Sequence, residues 1–149
     1  MKVTDSIDVN SPHRKWNAVA ILRDSKGRIK QIERSHNTVE AAGKNAIADQ
    51  ILAAPSLGKP TYMAIGTGTG GTTTLTTELS RNALTSKTRS TNVVTMQGDW
   101  AAGSGTGAIT EAGIFDASSA GNMWTYTSFS VINKAAGDTL SIVWTLTIS

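Results

Sequence analysis

At 149 residues, with 14 Lys or Arg against 11 Asp or Glu and a net charge of +3, the chain holds one domain's worth of sequence. That is enough to bury a core without staples and too little for two ordinary domains. It has no cysteine, which excludes disulfides, thiolate chemistry and cysteine-based zinc or iron–sulfur sites. No stretch approaches the roughly 20 apolar residues of a membrane span, and MKVTDSIDVNSPHRKW at the start is no signal peptide. The expectation is a soluble protein made in a cytoplasm. Charge is uneven: residues 1–60 carry ten basic residues against six acids, and residues 61–149 carry four against five. A basic end of this kind suits an acidic surface, or simply solvates an exposed face.

Residues 1–15 lack a hydrophobic period and contain Ser11-Pro12, so they read as an extended arm. WNAVAILR (16–23), the turn tetrad DSKG (24–27) and RIKQIERS (28–35) then form a natural hairpin. On its second strand Arg28, Lys30, Ile32 and Arg34 share one face by the period of two. Three like charges there make a solvated, edge-protecting surface or, in the sharper reading, a docking surface. Asn37 followed three residues later by Glu40 matches a capping box. Val39, Ala42, Gly43, Ala46, Ile47 and Ile51 keep helical spacing up to Pro55. This predicts a helix over about 38–53 that covers a β core.

Beyond residue 60 the texture turns to Thr, Ser and Gly with short apolar runs. Tyr62-Met63-Ala64-Ile65, 92–100, 108–117, 122–132 and 139–149 each look like strands, separated by turn chemistry at 101–107, 118–121 and 133–138. The last run alternates most clearly, with Leu140, Ile142, Trp144, Leu146 and Ile148 on one side. Strands so closely spaced predict a mainly β chain, an antiparallel sandwich or jelly-roll-like barrel. One β-rich domain over 16–149 follows the arm.

AIGTGTGGTTTL (64–75) poses the question of chemistry, because Gly66, Gly68 and Gly71 have the spacing of a dinucleotide-binding loop. Such a loop must open a helix and be followed by an acid about 20 residues on. Here three threonines follow, poor helix starters, and no acid stands at 86–92. The motif reads as a turn. His13 and His36 have no matching acid or second histidine at metal spacing. No G-x-S-x-G elbow presents a serine, and nothing in spacing brings Asp99, Glu111 and Asp116 into one cleft. Trp144 belongs to the apolar face of the last strand. Trp100 reads as core or as a stacking residue at a loop mouth, and only Trp16 lies near the basic hairpin, so nucleic acid is not expected. No catalytic, cofactor or metal site emerges.

NTVEAAGKNAIADQIL, MAIGTGTG…LTTELSR (63–81), ITEAGIFDA (109–117) and FSVINKAAGDTLSIVWTLTIS (129–149) occur in this order in small structural proteins of tailed bacteriophages. The chain resembles that group from about residue 37 to its C-terminus, most strongly in Ile109-Thr110-Glu111-Ala112-Gly113-Ile114-Phe115 and the terminal strand. The resemblance implies a non-enzymatic virion component, a capsid-decoration, minor tail or tail-fibre protein. The basic segment 1–36 is less similar to the group. Together these readings give a capsid-surface cement protein that bridges coat subunits, with the major capsid protein as partner. Self-association, as a trimer at a local three-fold, follows from symmetry. Docking is expected through Arg14, Lys15, Arg28, Lys30 and Arg34. Two rivals stand beside it. One is a tail-fibre or tail-tip module whose loops 66–74 and 101–107 contact the host. The other is a carbohydrate-binding domain using Trp100 with Asp99 or Glu111.

Overall fold

A computed structural model describes residues 17–147; the predicted arm at 1–15, with Arg14 and Lys15, lies outside the described residues. The strands are β1 (Asn17–Arg23), β2 (Ile29–His36), β3 (Thr38–Val39), β4 (Tyr62–Gly66), β5 (Glu78–Ala83), β6 (Ser86–Ser90), β7 (Val93–Trp100), β8 (Gly107–Phe115), β9 (Met123–Lys134) and β10 (Thr139–Thr147), with one helix, α1 (Ala41–Asp49). Two five-stranded antiparallel sheets form, ordered β2-β1-β10-β7-β6 and β3-β9-β8-β4-β5. This is the mainly β sandwich with one helix that the spacing predicts.

Period-two alternation builds the core between the sheets. Ala18, Ala20 and Leu22 of β1 and Leu140, Ile142, Trp144 and Leu146 of β10 face Met63, Ile65, Ile109, Ile114 and Ile132 of the second sheet. The predicted hairpin is present: β1 pairs with β2, Asn17 opposite His36. Its turn is held by Asp24, whose Oδ1 accepts the backbone N–H groups of Lys26 and Arg28, and by Gly27 at φ 78°.

Three features differ from expectation. Thr38 and Val39 pair with Tyr126 and Thr125 as strand β3, so Asn37 does not cap the helix. The N-cap is Glu40, which makes no side-chain cap and sends its N–H to Trp124 O at 2.9 Å. Sheet pairing takes the residues that the capping box would have used. The helix also stops at Asp49, because the Asp49 carboxylate turns the chain by accepting the N–H groups of Ser56 and Leu57, both at 2.8 Å. Finally, β5 and β6 occupy polar sequence, ELSRNA and SKTRS, with no apolar alternation to announce them. They form nearly one strand that crosses from one sheet to the other through Leu84 and Thr85.

The helix lies very close to β9. A Cβ at Gly43 would stand 2.2 Å from Trp124 O, nearer than any side chain could come, so only glycine allows this approach. Ala46 is buried behind it.

Candidate functional site

The glycine motif folds back over the outer face of the second sheet. Segment 67–77 contains neither helix nor strand, and Leu75 packs with Ala64, Phe115 and Met123 in a second small core. Glu111 of β8, fully buried, holds the segment in place. Its Oε1 accepts the N–H groups of Thr77 at 2.9 Å and Gly68 at 3.3 Å, and its Oε2 accepts the Tyr126 hydroxyl at 3.2 Å. Gly70 N–H in turn donates to Tyr126 Oη at 2.7 Å. Burial holds the Tyr126 phenol above its ordinary pKa against the pull of the Gly70 and Gly71 N–H groups.

Each glycine of the motif is needed for space. A Cβ at Gly66 would lie 2.5 Å from Thr77 O and 2.6 Å from Glu111 Oε1, and one at Gly71 would lie 2.3 Å from Thr74 O. At Gly68 the nearest atom would be Thr76 Cβ at 2.6 Å. The Gly68 and Gly70 amides already have acceptors, the Glu111 carboxylate and the Tyr126 hydroxyl, where a nucleotide-binding loop would hold a pyrophosphate. The spacing thus serves loop-on-sheet packing.

Of the expected docking residues, three lie within the described part. Lys30, Ile32, Arg34 and His36 alternate on the exposed side of β2, an edge strand that among the described residues pairs only with β1. Gln31 and Ser35 on the other side reach across to β9, donating to Val131 O at 2.9 Å and Ser128 O at 2.7 Å. Arg28 is bound to Asp24 at 2.7 Å, and Lys30 to Asp138 at 2.6 Å. Arg34 takes part in none of the ion pairs among the described residues. Two large apolar residues join these cations, Ile29 at 51% and Ile32 at 38% exposure. Lys30, Ile32 and Arg34 stand on the exposed side of β2, whereas Arg28 belongs to the turn before it, and the sequence reading missed the acids that tether Arg28 and Lys30. Asp24 adjoins the turn in sequence; Asp138 is 108 residues from Lys30, beyond the reach of any local pattern.

No protein-family model matches the chain, nor does any curated protein or solved structure. The reading of the site therefore rests on its geometry.

Trp100 is fully buried in the core, with Gly98 and Gly105 opposite its ring. It has no free face on which a sugar could stack, and Glu111 is equally enclosed, so the carbohydrate reading loses both groups. Among the described residues, no group of three or more His, Asp or Glu side chains could hold a metal ion. No helix among them is long and apolar enough to cross a membrane.

Two carboxylates are nonetheless unusual. Asp99, on the outer face of β7, receives Ser141 Oγ at 2.6 Å, Thr85 Oγ1 at 2.5 Å and Gln97 Nε2 at 3.1 Å. Burial pushes its carboxyl up, but these hydrogen bonds together hold it below the ordinary carboxylate value. Asp138 is held low by the Lys30 ammonium and the Ala135 N–H. The buried Lys134 nearby donates to Ala101 O at 3.0 Å, and burial lowers its pKa against the pull of Asp138. A carboxylate whose pKa falls on folding adds stability above its unfolded value near 3.9, and that stability is lost as pH drops through the folded value. Thermal stability should therefore fall steeply below about pH 4, and less steeply in Asp99→Asn. Melting curves between about pH 6 and pH 2.5 test this; parallel slopes for the two proteins would refute it.

Proposed function

We propose that the protein is a non-enzymatic structural component of a tailed-phage virion, a cement protein bound to the capsid surface and bridging coat subunits. The observation that carries this reading is the β2 edge. Ile29 and Ile32 stand exposed beside Arg28, Lys30 and Arg34 on a strand that lies at the edge of its sheet among the described residues. A surface both apolar and basic fits a partner that presents apolar side chains within an acidic patch. The glycine loop supports the same reading, because its Gly68 and Gly70 amides are taken by Glu111 and Tyr126 and its role is to close a core. Arg14 and Lys15, immediately before β1 in sequence, extend the basic stretch. Binding only to the assembled shell shifts assembly toward it by mass action, and a trimer at each local three-fold would bridge neighbours symmetrically.

Purified particles provide the test. Replacing Arg28, Lys30 and Arg34 together by alanine should reduce occupancy on the order of tenfold at moderate salt, since each exposed pair contributes roughly 0.2–1 kcal/mol. Wild-type occupancy should fall as salt is raised. The band should stand in the hundreds of copies relative to the major coat protein. Unchanged occupancy at both salt levels, or a handful of copies per particle, would contradict the capsid assignment and favour the tail.

A further inference from the structure

A groove of about 550 Å³ opens between the sheets at the end of the sandwich where β7 begins. Ile47, Val94, Met96, Trp124 and Leu146 form its apolar lining, and Lys59, Lys87 and Arg89 stand around it. Lys87 lies opposite Met96 and Arg89 opposite Val94, so both cations share the inward face of β6, an edge strand among the described residues. Lys87 Nζ donates to Pro60 O at 2.7 Å and Arg89 Nη1 to Thr91 O at 2.6 Å. None of the three cations joins an ion pair among the described residues.

Inward-pointing charge on an edge strand deters pairing with further strands, and that role alone would account for Lys87 and Arg89. It does not account for two donors in the same groove. Trp124 Nε1 and the Gln50 amide nitrogen are buried without an acceptor among the described residues, and both residues line the groove. Trp124 as a whole is 6% exposed. A buried donor left unpaired is costly, and at the wall of an open groove its acceptor can come from outside. Immediately after Gln50 the apolar surface continues, with Ile51 82% and Leu52 60% exposed, which is unusual on a chain that stands alone.

The fitting occupant carries apolar side chains, negative charge and several separate oxygen acceptors. A small carboxylate has too few oxygens for three cations and two donors set around one groove. An extended peptide has a carbonyl at every residue and can alternate acidic with apolar side chains. Between residues 17 and 147 no two Asp or Glu stand within four positions of each other, so the described part of a second copy offers no such segment.

We propose that this groove is a docking site for an acidic, apolar peptide segment of a partner protein. The segment's carboxylates meet Lys59, Lys87 and Arg89, its apolar side chains meet Val94, Trp124 and Leu146, and its backbone oxygens serve Trp124 and Gln50. The inward cations then act twice, turning away basic or uncharged strands at the β6 edge and admitting an acidic one. The inference stands apart from the virion reading, which rests on β2 at the far edge of the same sheet.

The test titrates the full-length chain with a short capped peptide of alternating Leu and Asp, followed by NMR. The Trp124 indole proton should move downfield and the Val94 and Leu146 methyl signals should shift. Signals of Gly103 and Ser104, in the loop at the other end of β7, should stay in place. Lys87→Glu with Arg89→Glu should weaken binding roughly tenfold or more at an unchanged melting temperature. Lys59→Glu, which breaks no side-chain hydrogen bond among the described residues, should weaken it several-fold. Arg28→Ala with Arg34→Ala should leave it unchanged, and added salt should reduce it. Absence of shifts at the groove, equal binding of a Leu/Lys or a Ser/Asp peptide, or charge reversals without effect would overturn the proposal. So would groove signals that move with protein concentration before peptide is added, which would make the occupant a second copy.

Discussion

Glu111→Ala should lower stability by about 4 kcal/mol. The truncation leaves the Thr77 and Gly68 N–H groups and the Tyr126 hydroxyl without the carboxylate that they now share. Each buried donor left unpaired costs about 1–3 kcal/mol, and the space vacated adds to that. For a domain of this size the melting temperature should fall by roughly 8–16 °C. Glu111→Gln keeps an acceptor oxygen and should lose only about 1 kcal/mol. Hydrogen exchange localises the effect: amides in 67–77 should lose protection before those of β10. Uniform loss across both sheets would mean that Glu111 does not act through the loop.

Arg81→Ala should cost about 3 kcal/mol. The Arg81 side chain is 6% exposed and four of its five N–H groups are bonded. Nε and Nη2 form a fork on Glu78 at 3.0 and 2.6 Å, while Nη1 donates to Ala117 O at 3.0 Å and Ala120 O at 2.8 Å. The guanidinium carbon lies 3.7 Å from the centre of the Phe115 ring. One side chain thus joins β5, the turn after β8 and the second core. Removing it strands two carbonyls and a carboxylate and uncovers an aromatic face. Arg81→Lys should recover little, because an ammonium cannot reproduce the planar fork. Thermal melts of the two variants decide this, and a lysine variant as stable as the wild type would sink the account.

These two residues also mark where the sequence was legible. Elements with a strong period could be read directly: the β1–β2 hairpin, β7 to β10, and the alternation of Leu140, Ile142, Trp144 and Leu146 all lie where their pattern placed them. Patterns failed where a distant partner decided the outcome. Thr38 and Val39 went to β9 instead of the helix, and the polar strands β5 and β6 are held by backbone pairing with β4 and β7. Glu111 and the glycines of 66–71, some 40 residues apart, explain each other only once β4 and β8 lie side by side. The fate of the predicted docking residues is similar. The exposed side that Lys30 and Arg34 share followed from the period of two, whereas the tether of Lys30 to Asp138 required the fold. The groove by Trp124 had no local signal, since its lining comes from five separate elements.

The pairing of β1 with β10 carries a mechanical consequence. Asn17 lies beside Thr145 in antiparallel register, so the first and last described strands end at the same pole. Tension applied there, pulling the two strands apart, loads their rungs one after another instead of all at once. The molecule should yield like a zip under such a load. Force spread across the β2 edge acts on the whole ladder in parallel and meets far greater resistance.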